Sequence, residues 1–221
     1  MAFHPGPADL PGVLALFPLP GALLLPRVHL PLNIFEPRYL AMVEDVLRAP
    51  HRMIGMIRPI GTGLADPQPQ DARLSSIGCA GRITRFHEME DGRMTIFLTG
   101  IARFRLRDEM AGFTPYRRAE VDWTSFHHDL EPPAPDPDFD LPTFTALIAR
   151  YLDSVGMVIN LESLTASGEE RMVNALSLLC PFPPEDKQAL LEAPGLSTRR
   201  ETLVALIEYA MRGGLDTGLM Q

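Results

Sequence analysis

Residues 16–47 read LFPLPGALLLPRVHLPLNIFEPRYLAMVEDVL, and this segment determines how we interpret the chain. Its apolar runs are short and are separated by Pro-Gly and by single prolines, a pattern typical of strands joined by turns. We therefore predict strands over 13–19 and 22–25 and an extended segment over 28–35. The apolar part, 13–32, contains four prolines, which would break a membrane-spanning helix. The pattern thus predicts a β-rich folded region.

A strand-to-helix corner follows at FEPRY, residues 35–39. Glu36 stands where an N-cap or first-turn acid belongs, since a negative charge there complements the helix dipole and can accept bonds from unpaired backbone N–H groups. Pro37 suits the first helical position because no N–H is needed there. The apolar residues that recur at helical spacing before Pro50 are Leu40, Val43, Val46 and Leu47. They predict a helix with one buried face.

The remainder of the first half has the alternation and turn signals of β-structure. Glu90-Asp91-Gly92 is a hairpin turn of the Asp-Gly kind. It lies between two predicted strands, and Gly100 is expected to interrupt the second of them. The predicted strands after the helix are 53–57, 77–86, 94–99, 101–106 and 116–123. Many short strands with one helix among them predict a small, partly closed barrel.

The composition changes over residues 124–140, which are rich in proline and acidic residues. Such a stretch predicts an extended linker, because proline and like charges both oppose compaction. The helices predicted beyond it are 141–159, 169–179, 185–191 and 198–211. We therefore predict an α+β protein with a β-barrel domain over 1–123, a linker over 124–140 and a helical subdomain over 141–221.

The overall composition is that of a soluble globular protein. The 221 residues, 24.5 kDa, are 46% apolar and 22% charged, with a mean hydropathy of +0.03. Two cysteines, Cys79 and Cys180, cannot make a disulfide framework, which indicates a reducing compartment. The N-terminus has no basic region before an apolar stretch and does not resemble a signal peptide. We therefore expect a cytoplasmic protein without a membrane partner.

The net charge of −8 is unevenly distributed. Residues 1–122 carry 14 basic and 13 acidic groups, whereas residues 123–221 carry 6 basic and 15 acidic groups. An acidic chain has no general attraction for nucleic acid, because its field repels the phosphate backbone. The charge therefore argues against nucleic acid as a partner.

The sequence lacks the common motifs of catalysis and cofactor binding. It contains no Gly-Lys dipeptide, and thus no P-loop, and neither GxSxG nor HExxH. The single lysine, Lys187, has acidic neighbours, and three prolines separate it from Ser177, the nearest upstream serine. His127-His128-Asp129 would direct adjacent side chains to opposite sides of an extended chain, which does not suit one metal ion. We predict a non-enzymatic protein with no metal and no cofactor.

Three arginines, Arg103, Arg105 and Arg107, alternate along one predicted strand, and Phe104 lies on the opposite face. These arginines could form a basic sheet face that contacts nucleic acid or an acidic partner. Alternatively, they lie on a solvated face and pair with acids across the strands. The near neutrality of the first half favours the second interpretation. On either reading, we expect Phe104 to be buried.

Several motifs match one known family. They are Leu16-Phe17-Pro18-Leu19, Leu30-Pro31-Leu32, Ile34-Phe35-Glu36-Pro37-Arg38-Tyr39, Asp91-Gly92-Arg93 and Gly100-Ile101-Ala102-Arg103-Phe104. Together they resemble the N-terminal substrate-binding domain of the ATP-dependent protease Lon. The resemblance covers residues 16–122 most closely and extends to 141–211. It implies a PUA-like pseudo-barrel followed by a helical subdomain.

The resemblance implies a non-catalytic module that binds exposed apolar segments of unfolded polypeptides and works with a protease machine, without ATPase or peptidase modules. Its candidate polypeptide-binding residues lie in and beside the FEPRY corner, where we expect the prolines to leave leucines partly exposed. These residues are Leu24, Phe35, Glu36, Arg38 and Tyr39. The alternative is RNA binding by the arginine-bearing sheet face, because PUA-like barrels in other families bind RNA.

Overall fold

A computed structural model of the chain describes residues 6–61, 72–131 and 136–214. The chain divides into two compact units, Met1–Pro132 and Pro133–Gln221. The first unit contains the β-sheet and one long helix, and the second is helical. This arrangement confirms the predicted α+β class, with a barrel followed by helices.

The first unit is built from six strands and one α-helix among the described residues. The strands are β1 (Val13–Pro18), β2 (His29–Ile34), β3 (Met53–Ile57), β4 (Ile77–Glu88), β5 (Met94–Glu109) and β6 (Arg118–Asp122), and helix α1 is Pro37–Arg48. The helix begins at the proline predicted for its first position and buries Val43 and Val46. The corner motif therefore acts as predicted in starting the helix.

The sheet closes on itself. Its strand order is β2-β5-β4-β3-β1-β6, and β6 also pairs with the C-terminal part of β5. Five strands, β5, β4, β3, β1 and β6, thus form a ring, in which β1 and β3 are parallel and the other pairs antiparallel. The pseudo-barrel is therefore confirmed, and it needs a single parallel pairing to close.

A three-stranded extension projects from this ring. The N-terminal part of β5, 94–99, pairs with β2 on one side and with the C-terminal part of β4, 83–88, on the other. Strand β3 reaches β4 only as far as Arg82. We call these three segments, 29–34, 83–88 and 94–99, the ribbon, and its end near the β4–β5 turn the ribbon tip.

Residues 22–25 do not form the predicted strand. They are irregular, and Leu23, Leu24 and Leu25 are all buried. The segment crosses β5 where Gly100 has no side chain: a Cβ at Gly100 would lie 2.0 Å from the carbonyl oxygen of Leu25. The prediction of a break at Gly100 was also wrong, because β5 runs through it. The glycine admits the crossing chain and does not end the strand.

The barrel core is centred on Phe104, which is fully buried. Its ring lies edge-on to Trp123, with the ring centroids 5.9 Å apart. Two glycines make room for it, since a Cβ at Gly55 or Gly78 would lie 3.1 or 2.5 Å from the ring. The predicted burial of Phe104 is confirmed, and its neighbours Leu14 and Leu16 belong to the same cluster.

The predicted linker begins with folded structure. Thr124–Leu130 is a 3-10 helix on the barrel, in which Phe126 and Asp129 are buried. The Asp129 carboxylate accepts the backbone N–H of Arg103 at 2.8 Å and two guanidinium bonds at 2.8 and 2.9 Å. The prediction of an extended linker was therefore wrong over 124–130, because the buried ion pair between Asp129 and Arg103 anchors these residues. Residues 132–135 lie outside the described part of the chain.

This contact fills a gap in the sheet. Along one edge of β5, pairing with β2 extends to Thr99 and pairing with β6 starts at Arg105. Between these points the N–H of Arg103 has no strand beside it and bonds to Asp129. The 3-10 helix thus closes the barrel where strand pairing stops. A side chain replaces the missing backbone partner.

The second unit contains α2 (Leu141–Ser154), α3 (Leu161–Ala166), α4 (Glu169–Leu179), α5 (Pro184–Glu192) and α6 (Leu196–Tyr209). Helix α2 ends at Ser154, five residues before the predicted end at 159, and α3 was not predicted. Asp140 and Asn160 cap α2 and α3 by accepting backbone N–H bonds at 3.1 and 2.9 Å. Within the described ranges, no helix is long and apolar enough to cross a bilayer.

Candidate functional site

The charged residues of the FEPRY corner pair with each other. The Arg38 guanidinium donates two bonds to Glu36 Oε2, at 2.9 and 2.7 Å, and lies 4.5 Å from the centroid of the Tyr39 ring. Glu36 is the N-cap residue of α1, but its side chain accepts no capping bond. The expectation that Glu36 bonds the first backbone N–H groups was therefore wrong, because Arg38 competes for its carboxylate.

Two of the candidate binding residues belong to the core. Tyr39 is 4% exposed and packs edge-on against Phe17, with centroids 4.4 Å apart. Burial raises the pKa of the Tyr39 hydroxyl to about 12. Leu24 is 2% exposed and packs against Gly81, where a Cβ atom would lie 2.7 Å from the leucine side chain. The expectation that leucines such as Leu24 stay partly exposed is therefore wrong, and Tyr39, also a candidate binding residue, is likewise packed in the core.

Phe35 differs from these residues because it is 65% exposed. It directly follows Ile34, the last residue of β2, which lies opposite Met94 at the start of β5. Met94 in turn lies opposite Glu88, the last residue of β4. The register therefore places Phe35 at the ribbon tip, across β5 from the β4–β5 turn.

Two further apolar side chains are exposed near the same tip. Phe86 is 49% exposed and pairs across the ribbon with Ile96, and Met89 is 39% exposed in the turn itself. Sequence reasoning missed both. The available signal was that Phe86 and Met89 flank the polar pair His87-Glu88 just before the turn at Gly92. The pairing of β2 with β5 was needed to place Phe35 at the same end of the ribbon. We call Phe35, Phe86 and Met89 the tip cluster.

The turn that carries Met89 is held by a local ion pair. The Arg93 side chain donates to Asp91 at 2.6 Å and keeps the pKa of that carboxyl below its usual value. The backbone also closes, since Met89 donates its N–H to Arg93 at 2.8 Å. The turn therefore presents Met89 from a fixed backbone, next to charged groups that keep the tip solvated.

The three arginines do not form one basic face. Arg103 is buried against Asp129, and its guanidinium lies 4.5 Å from the Phe126 ring centroid. Arg107 pairs with Asp122, and bonds from Thr124 and from Arg107 lower the pKa of that carboxyl to about 2. The prediction of a basic face is therefore wrong for Arg103, because the 3-10 helix covers this side chain. Arg107 instead fits the alternative interpretation, in which these arginines pair with acidic residues across the strands.

Ser177 and Lys187, the serine and lysine considered from the sequence, both bond to backbone carbonyls. Among the described residues, no three His, Cys, Asp or Glu side chains are placed to hold a metal ion. The Ser177 hydroxyl donates to the Val173 carbonyl at 2.8 Å within its own helix, whereas Lys187 Nζ donates to the Leu178 carbonyl at 3.1 Å. Both side chains are thus engaged with backbone. Burial raises the pKa of the Cys180 thiol to about 12, which disfavours the thiolate.

Known proteins match this fold along most of its length. A Lon N-terminal domain protein from Xanthomonas campestris is similar in structure, with a TM-score of 0.58 and 25% identity over 87% of this chain and 97% of that one. The N-terminal domain of a Mycobacterium avium complex Lon protease has a TM-score of 0.54 at 15% identity, over 89% of this chain and 98% of that one. The second likeness shows the fold alone.

The proteins of similar sequence are also Lon proteases. Lon protease of Flavobacterium johnsoniae is 27% identical over 206 residues, and Lon protease 2 of Myxococcus xanthus is 25% identical over 202 residues. These matches cover 88% and 90% of this chain but 24% of each protease, so the chain spans about a quarter of the length of these curated relatives. The model of the ATP-dependent protease La (LON) substrate-binding domain matches residues 13–208. The chain therefore belongs to the LON substrate-binding domain family.

Proposed function

We propose that this chain is a polypeptide-binding module that holds exposed apolar segments of unfolded proteins at the tip cluster. The observation that carries this proposal is that three large apolar side chains, Phe35, Phe86 and Met89, are exposed at one end of the ribbon. Large apolar side chains left exposed among polar groups are typical of interaction sites. Membership of a substrate-binding family supports the same function.

The chemistry of the cluster suits partners of varied sequence. Phenylalanine rings offer large apolar area and lose little conformational entropy, whereas methionine is flexible and adapts to irregular shapes. An unfolded polypeptide exposes apolar side chains that a folded protein buries. The cluster can contact such side chains without requiring one particular client sequence. We infer that such clients are then passed to a protease machine, since the relatives that match this chain are Lon proteases.

The double substitution Phe35→Ser/Met89→Ser should weaken binding of an unfolded client by about tenfold or more, because it removes two exposed apolar contacts, each expected to be worth about 1 kcal/mol or more. Reduced, carbamidomethylated ribonuclease A is a suitable client, and binding is measured by fluorescence anisotropy. The melting temperature should change little, because both side chains are exposed.

A matched control is available in the same unit. Phe113 is fully exposed in the loop after β5, at the other end of that strand from the ribbon tip. The variant Phe113→Ser changes the same residue type and should bind the client as the unchanged protein does. Equal losses in both variants would contradict a site at the tip.

We further propose that the chain binds clients without chemistry of its own. The lone lysine donates to a backbone carbonyl, and burial raises the pKa of the Cys180 thiol near it to about 12. Purified protein should therefore hydrolyse neither ATP nor casein in steady-state assays. Turnover that Lys187→Ala abolishes would overturn this part of the proposal.

A further inference from the structure

The ribbon has two outer edges, one along β2 and one along the end of β4. Strand β2 pairs with β5 alone, and beyond Ile83, which donates its N–H to Arg52, the end of β4 also pairs with β5 alone. Within the described part of the chain, no other strand covers either edge. An uncovered edge presents backbone N–H and C=O groups that can pair with another strand.

The hydrogen-bond register shows which groups point outward from β4. Directly opposed residues of antiparallel strands alternate between hydrogen-bonded and non-bonded pairs. Because Met89 donates to Arg93, the bonded pairs further along are His87 with Thr95 and Arg85 with Phe97. The backbone groups of Phe86 and Glu88 therefore face away from β5. Neither residue is a proline, so each offers a donor and an acceptor.

The edge of β2 is different. Gly100 donates its N–H to the Val28 carbonyl at 2.9 Å, which makes Leu30, Leu32 and Ile34 the bonded residues of β2 by the same alternation. The backbone groups that face outward belong to His29, Pro31 and Asn33. Proline has no N–H, so the middle of this edge lacks its donor. Of the two edges, β2 is obstructed and β4 is open.

We propose that an extended client segment adds to the ribbon as a further strand along Phe86 to Glu88 of β4. This proposal rests on the proposed function and states how the client is held. Backbone pairing supplies affinity that does not depend on client sequence, and the exposed Phe86 and Met89 side chains cover apolar residues of the client. An extended segment can match both outward-facing residues, and an unfolded client offers such segments along its whole length.

Substitution of Glu88 tests directly whether the client pairs with the β4 edge as an added strand. Glu88→Pro removes the outward N–H and leaves the β4–β5 bonds intact, because proline is tolerated where the N–H faces outward from a sheet edge. Glu88→Ala is the matched control, since it removes the carboxylate and keeps the N–H. We expect Glu88→Pro to bind reduced, carbamidomethylated ribonuclease A about tenfold more weakly than Glu88→Ala does.

A second measurement does not depend on a variant that must fold. Hydrogen exchange of the unchanged protein, followed by NMR, should show slower exchange of the Phe86 and Glu88 amides when the client is bound. The amides of His29 and Asn33 on the β2 edge serve as the internal comparison and should not change. Protection on β2 instead of β4 would overturn the assignment of the edge.

The outcomes separate the two proposals. If the unchanged protein does not bind the unfolded client at all, polypeptide binding itself fails. If it binds, and Phe35→Ser/Met89→Ser weakens binding while Glu88→Pro does not and the Phe86 and Glu88 amides stay unprotected, strand addition fails and the tip cluster stands. Protection of these amides with rising protein concentration and no client would instead show pairing between copies of this chain, and would also overturn the proposal.

Discussion

Replacing Phe104 by alanine should lower the free energy of unfolding by about 3–5 kcal/mol. The ring is fully buried, and Gly55 and Gly78 are shaped around it, so its removal leaves a cavity that rigid strands cannot fill. Trp123 also loses its edge-on partner. Urea unfolding followed by the fluorescence of this single tryptophan measures the change.

The neighbouring position provides the control. Arg105 follows Phe104 on the same strand, points to the other face and is half-buried. Arg105→Ala should change the free energy of unfolding by about 0.5 kcal/mol or less. A larger loss for Arg105→Ala than for Phe104→Ala would show that the side-chain register of β5 is inverted.

Replacing Asp129 by alanine should lower the free energy of unfolding by a similar amount, about 3–5 kcal/mol. The carboxylate neutralises the buried guanidinium of Arg103 and accepts a strand N–H, so its loss leaves a charge and a backbone donor without these partners. The Thr124–Leu130 helix should also loosen. Limited proteolysis with thermolysin should then cut near Phe126, which is buried in the unchanged protein.

The double variant Arg103→Met/Asp129→Leu separates the cost of an orphaned charge from the value of the pair. Apolar replacement of both partners removes the buried charge, so it should recover much of the stability lost in Asp129→Ala. If the double variant is as unstable as the single one, the loss comes from packing and not from the uncompensated guanidinium. Resistance of Asp129→Ala to thermolysin near Phe126 would show that the 3-10 helix is held by other contacts.

These two results bear on function because they concern the part of the barrel that supports the ribbon. Strand β5 is continuous from the tip, through Gly100, to the ring residues around Phe104. The 3-10 helix fills the gap along β5 between its pairings with β2 and with β6, next to the point where the ribbon begins. The tip cluster, whose residues lie on the segments that flank this strand, is therefore carried by rigid structure, as a binding surface requires.

The local patterns of the sequence were sufficient for much of the fold. The proline at the first helical turn, the spacing of Val43 and Val46, and the Asp-Gly turn act through neighbours in the chain, so their outcome could be predicted. Alternation along β5 also placed Phe104 correctly, because a strand directs successive side chains to opposite faces. The family followed from the motifs around this corner.

What the sequence could not show was which surface another segment covers. Alternation separates Arg103 from Phe104, but only the folded 3-10 helix buries the arginine. The corner placed Tyr39 beside Phe35, yet contact with Phe17 buries the tyrosine and leaves the phenylalanine exposed.

The sequence by itself therefore determined the α+β class, the helix at Pro37, the buried face of β5 and the family. The tertiary structure alone decided the path of residues 22–25, the burial of Arg103, and the exposure of Phe35, Phe86 and Met89 at one end of the ribbon. The physical reason is range. Propensity, capping and alternation act between near neighbours, whereas burial and edge pairing depend on segments that are distant in sequence and meet only when the barrel closes.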